Sequence, residues 1–238
     1  MKRFVMLFAA AILCFASCTL PESSETYYGV QAYCDVVSGK LAISSSTTTL
    51  IVTQDLTDGG WKDCATVFCS FDMSRTGVSD SYSISLLSYI PVVTTPAVHS
   101  GISDPETLGS DPVGLFQDWG YDASKKRLNF AVQYVRDKES EVVHDITLVV
   151  DDEKSGANTI YFTLRHNAHG DSPVDGEMIS GDYETVCRYC GFDLSAVLPS
   201  GTSGSLQAVI GWDWYINSSD YLSGIEHHEI SGRIYLNQ

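Results

Sequence analysis

Basic residues are scarce in this sequence: 14 Lys and Arg stand against 30 Asp and Glu in 238 residues, a formal net charge of −16. A chain so acidic cannot present the cationic face that phosphate backbones require, so nucleic acid is excluded as a partner. Charge of either sign is sparse, at 18% of residues, while 44% are hydrophobic and 11% aromatic, which is the composition of a folded chain. Beyond the first residues, no apolar run approaches the ~20 residues of a membrane-spanning helix. Nor does any long stretch keep an i, i+3, i+4, i+7 apolar spacing, which leaves room only for single helical turns.

What is present is a period of two. Tyr82, Ile84 and Leu86 alternate with Ser81, Ser83 and Ser85; Leu128, Phe130, Val132 and Tyr134 alternate with Asn129, Ala131 and Gln133; Ile160, Phe162 and Leu164 alternate with Tyr161 and Thr163. These are half-buried strands, and further β-rich runs lie at 28–37, 48–54, 65–71, 142–150, 206–216 and 230–236. Dense turn signals, such as Asp58-Gly59-Gly60 and Ser155-Gly156, separate them. The fold class expected is all-β. From Pro91 to Pro112 four prolines break the strand rhythm, which divides the chain into a unit at 27–98 and another at 104–238. The first suits a small OB-like barrel and the second an antiparallel β-sandwich.

Lys2 and Arg3 precede an apolar run from Phe4 to Phe15, the pattern of a secretory signal peptide over 1–17. Phe15-Ala16-Ser17-Cys18 resembles a lipobox, in which the Cys becomes lipidated and begins the mature chain. Cys18 is therefore the expected lipidation site, and 18–26 a flexible tether. Thr19 after the Cys, by resemblance to Gram-negative lipoproteins, points to the outer membrane, facing either periplasm or medium. Removing Cys14 with the signal and Cys18 to lipid leaves Cys34, Cys64, Cys69, Cys187 and Cys190, an odd number, so at least one thiol has no intrachain mate. Cys187-x-x-Cys190 lacks the second pair of a zinc ribbon and the helix start of a redox motif, so buried thiols or a structural disulfide are expected, with the pairing open.

The leader, the OB-like unit and then Leu108-Gly109-Ser110-Asp111-Pro112-Val113, Leu128-Asn129-Phe130, His144-Asp145-Ile146-Thr147-Leu148-Val149, Tyr161 through Asn167 and Phe192-Asp193-Leu194-Ser195 together resemble the NigD-like lipoproteins of Bacteroidota. The resemblance implies an N-terminal OB domain, a C-terminal β-sandwich and, from the protein that names the family, a connection to bacteriocin immunity. It carries over no catalytic residues.

Arg165, His166, His169, Asp171, Asp175 and Glu177 form the densest polar cluster. His166, His169 and Asp171 are the residues a metal would use, but Gly170 and Pro173 argue for a strand running into a loop, without the helix that zincin spacing needs. Pro173 also occupies a ligand position of the calcium-loop pattern. A structural role is expected instead, with no metal and no cofactor. No Gly-x-Ser-x-Gly or comparable nucleophile motif occurs, so no catalytic residue is assigned and the chain is not expected to be an enzyme. Trp212 and Trp214 share a strand face and read as core; exposed, they could stack on sugars, as could Trp61 or Trp119. The expected function is binding of another macromolecule at the envelope, of immunity type; the alternative is a glycan- or ligand-binding lipoprotein using those aromatics.

Overall fold

The computed structural model describes residues 26–37, 40–44, 49–52, 66–101, 105–116, 119–173, 182–199, 204–218 and 221–236. The proposed leader, Cys18, Trp61, Cys64, Asp175 and Glu177 lie outside them. Among the described residues all but one element is a strand.

Five strands, β1 (Thr26–Val37), β2 (Lys40–Ile43), β3 (Thr49–Val52), β4 (Thr66–Arg75) and β5 (Ser81–Pro91), close a barrel in the order β1-β2-β3-β5-β4. Alternate residues point inward, so Cys34, Leu41, Leu50, Cys69, Phe71 and Ile84 fill its interior. Parallel β3–β5 pairing, Leu50 with Tyr82 and Val52 with Ile84, supplies the closure.

The remaining strands form two stacked sheets. One runs β6 (Val93–Pro96), β13 (Tyr183–Asp193), β10 (Arg127–Asp137) and β8 (Gly114–Leu115), with β9 (Gly120–Asp122) also on β10. The other runs β15 (Tyr221–Tyr235), β14 (Ser205–Ser218), β12 (Thr159–Asn167), β11 (Asp145–Val150) and β7 (Val98–His99). Between them Phe130, Phe192, Leu148, Phe162, Ile210 and Ile234 make one continuous core. The all-β barrel-plus-sandwich class stands. The proline-rich stretch departs from its reading as a break in the strands: β6 lies parallel on β13 and β7 parallel on β11, each at a sheet edge where proline's missing N–H is tolerated. The single helical turn, α1 (Pro105–Leu108), follows.

Barrel and sandwich meet through a polar and aromatic seam. Asp35 accepts from the Thr66 hydroxyl at 2.9 Å and pairs with Lys125 at 2.7 Å and Arg127 at 3.1 Å. Burial alone would raise the Asp35 carboxyl; the bonds from Lys125, Thr66 and Arg127 outweigh it and hold the pKa below its usual value. Tyr189 of β13 stacks on Phe68 of β4 with ring centroids 4.2 Å apart, and Tyr33 meets both edge-on. No helix among the described residues is long and apolar enough to cross a membrane.

Candidate functional site

Strands β12 and β14 pair only from Thr159–Gln207 to Thr163–Gly211. Beyond that point residues 109–113 pass between them: the Asp111 N–H donates to the His166 carbonyl at 3.0 Å, and the Val113 N–H to the Asp213 carbonyl at 2.9 Å. The Asp111 carboxylate accepts from the Ala168 N–H at 2.8 Å, and the Asn167 amide donates to the Thr107 carbonyl at 3.0 Å. This strap therefore ends the sheet pairing by substituting for it. Gly109 makes the approach possible, since with φ at +70° any Cβ there would lie 2.3 Å from the His166 carbonyl oxygen.

Behind the strap lies a buried imidazole network. His166 Nδ1–H donates to the Pro112 carbonyl at 3.0 Å, His166 Nε2 and His144 Nδ1 are 2.8 Å apart, and His144 Nε2 is 2.8 Å from Asp171 Oδ2. Asp171 Oδ1 accepts from the Asp137 N–H at 3.2 Å, and Arg188 donates to the His144 carbonyl at 2.9 Å. Tyr134 lies against both rings, at centroid distances of 4.7 and 5.2 Å. His144, His166 and Asp171 are all buried. Burial pushes the His166 imidazole down to about 4, against the Pro112 carbonyl that favours its proton. For Asp171, burial would raise the carboxyl, but bonds from His144, Ser140 and the Asp137 N–H hold it low.

His166 and Asp171 are thus joined, through a His144 that spacing alone did not point to. His169 is not. Past β12 the chain turns through positive φ at His169 and Gly170, so His169 faces solvent, where its Nε2 lies 2.8 Å from Asp145. No group of three or more metal-ligand side chains is gathered in metal-binding geometry among the described residues.

In front of the strap a groove of about 530 Å³ is lined by Ser100, Glu106, Leu108, Gly109, Ser110, Val149 and Arg165. Val149 and Arg165 come from the outer faces of β11 and β12, and the strap supplies the facing wall. Arg127 pairs with Asp35 and Arg136 with Glu184, whereas the half-buried Arg165 guanidinium has no hydrogen-bond or ion-pair partner among the described residues.

The three described aromatic candidates, Trp119, Trp212 and Trp214, are packed. Trp212 lies half-buried on the sandwich core and stacks on His228 with centroids 5.7 Å apart. Trp214 covers Gly114, and Trp119 crosses Gly232 so closely that a Cβ there would meet its ring at 2.4 Å. Cys187 is exposed and Cys190 buried, on opposite faces of β13, and burial pushes the Cys190 thiol up to about 11. Cys34 and Cys69 are both buried in the barrel, and all four described cysteines are free thiols.

The class of fold is a five-stranded barrel joined to a two-sheet sandwich, which in this chain carries a strap, a buried His–His–Asp network and a groove at the sheet face. Residues 96–181, which include the strap, the network and the groove, match the family model of the NigD-like C-terminal β-sandwich domain, so the likeness read from the sequence is shown for this segment. Several solved structures share the fold, three of them as follows. A NigD-like immunity protein from Bacteroides caccae has a TM-score of 0.59 at 17% identity, covering 85% of this chain and 93% of its own. A Bacteroides vulgatus protein of unknown function scores 0.58 at 16% identity, covering 87% and 91%. A candidate lipoprotein from Bacteroides fragilis scores 0.57 at 16% identity, covering 90% and 99%. No curated protein matches the sequence.

Proposed function

We propose that this chain is a non-enzymatic lipoprotein of the cell envelope, anchored in the outer membrane through Cys18, that acts by binding another macromolecule in the manner of a bacteriocin immunity protein. The observation that carries the reading is the NigD-like match over residues 96–181, together with a fold shared across most of both chains with a protein described as a NigD-like immunity protein. The arrangement of groups supports binding over turnover. Both rings of the imidazole network are buried and hydrogen-bonded on both nitrogens, so neither offers a base to a substrate. A lipid tether would hold the body near one surface and raise its effective concentration for neighbours there, so that a modest interface suffices.

The test is genetic. Deleting the gene should sensitise the producing strain to a bacteriocin made by its own or a related strain, with killing by unrelated toxins unaltered. Unchanged sensitivity across such a panel would remove immunity, and reproducible turnover by purified protein, abolished by one substitution, would remove the non-enzymatic reading altogether.

A further inference from the structure

We propose that the groove between the strap and the outer face of β11–β12 is a recognition site for a carboxylate flanked by an apolar side chain on a partner polypeptide, with Arg165 as the anion ligand. The inference rests on the macromolecule-binding reading above and gives that partner a chemistry.

The first ground is the unmatched charge. In a chain of net charge −16, acidic groups are abundant, yet the Arg165 guanidinium pairs with none of those described. It sits half-buried in a concavity of about 530 Å³, where water competes less well for its donors than on an open surface. The second ground is construction. The groove's wall does not depend on loop packing alone: Asp111 to His166, Ala168 to Asp111 and Asn167 to Thr107 fasten the strap to the end of β12, and Gly109 seats it against the backbone there. A fixed wall opposite a fixed strand keeps the site formed before a ligand arrives, which limits the ordering cost of binding.

The lining selects the ligand class. Leu108, Gly109 and Val149 give an apolar surface beside the guanidinium, while Ser110 adds a hydroxyl; the Ser100 hydroxyl is already donated to Asp152 at 3.3 Å. A planar, singly charged carboxylate matches the two-pronged guanidinium edge. A dianionic phosphate would want further cations, and the lining supplies Glu106 instead. The carboxylate could be a chain terminus or an acidic side chain.

The experiment is an NMR titration of the whole mature chain with three probes: acetyl-Ala-Leu bearing a free carboxyl terminus, acetyl-Leu-Glu amide bearing a side-chain carboxylate, and acetyl-Ala-Leu amide bearing neither. We expect saturable shifts centred on Leu108–Ser110, Val149 and Arg165 with at least one of the two acids, which identifies the source, and about tenfold weaker binding of the neutral amide. Arg165→Gln, folded by its spectrum, should lose about the same factor, and Arg165→Lys should recover part of it by charge without the fork. Equal binding of acid and amide, shifts elsewhere, or indifference to both Arg165 variants would overturn the proposal. Expressing Arg165→Gln in the deletion strain separates the two claims. Carboxylate binding without toxin protection by the wild type defeats only the immunity reading, whereas protection that survives loss of Arg165 defeats only the groove.

Discussion

At the scale of single residues, burial of the imidazole network, in which His166 bonds Pro112 and His144 and His144 bonds Asp171, sets the direction of its acid response. His166 falls from 6.5 to about 4 on folding, so between those values the unfolded chain binds the proton and the folded one does not. Its contribution is full above about 6.5 and lost as pH falls toward 4. Asp171, also held low, contributes above the unfolded carboxylate value and loses that contribution as pH falls further. His227, raised by Asp213 and then Glu229, acts in the opposite sense, but it is exposed and screened. Urea unfolding should therefore show about 2 kcal/mol less stability at pH 5 than at pH 7. His166→Gln should be less stable at pH 7 with a shallower slope; a wild-type profile flat over this range would contradict the account. The sequence pointed to His166, His169 and Asp171 by spacing. It could not point to His144, which is 22 positions away and meets His166 only because β11 pairs with β12.

At the scale of elements, strands whose apolar residues alternate along the sequence were legible, β10 among them although both its faces are covered, and strands that lack that alternation were not. β12 alternates buried and half-buried residues from Thr159 to Asn167, which is how its apolar positions read. β13, 11 residues long, has no such rhythm. Its core-facing parity carries Glu184, which is paired with Arg136, and Arg188, which donates to the His144 carbonyl, and its other face carries Tyr189 into the barrel seam. Both exceptions arise from tertiary partners, which no local pattern records. The prolines misled for a related reason, because an edge strand as short as β6 can hold one, Pro96. The strap is the element most open to test. Gly109→Ala forces a Cβ onto the His166 carbonyl at positive φ and should cost more than about 2 kcal/mol, with faster amide exchange at Asp111 and Ala168. Gly156→Ala, where a Cβ meets nothing within 4 Å, should stay within about 0.5 kcal/mol. Similar losses in both variants, by chemical unfolding, would show that the strap is not fixed by that contact.

At the scale of the whole molecule, the barrel and sandwich are tied by Asp35, Lys125 and Arg127 and by the Phe68–Tyr189 stack. The groove opens on the sandwich, between the strap and β11–β12. The proposed anchor is a single lipid on Cys18, with no helix to replace it among the described residues. Cys18→Ala, redirected through an ordinary secretory leader, should fold unchanged and leave the membrane fraction, because acyl burial supplies the attachment. Continued fractionation with membranes would show that the body itself binds the envelope. The measurement that tests the central claim most directly is survival of the deletion strain under its bacteriocin when complemented with wild-type protein or with this released form at equal abundance. The account predicts that the anchored protein restores survival and that the released form restores about tenfold less or worse, since it forgoes the local concentration the tether provides. Equal protection by both forms, or protection by neither, would contradict it.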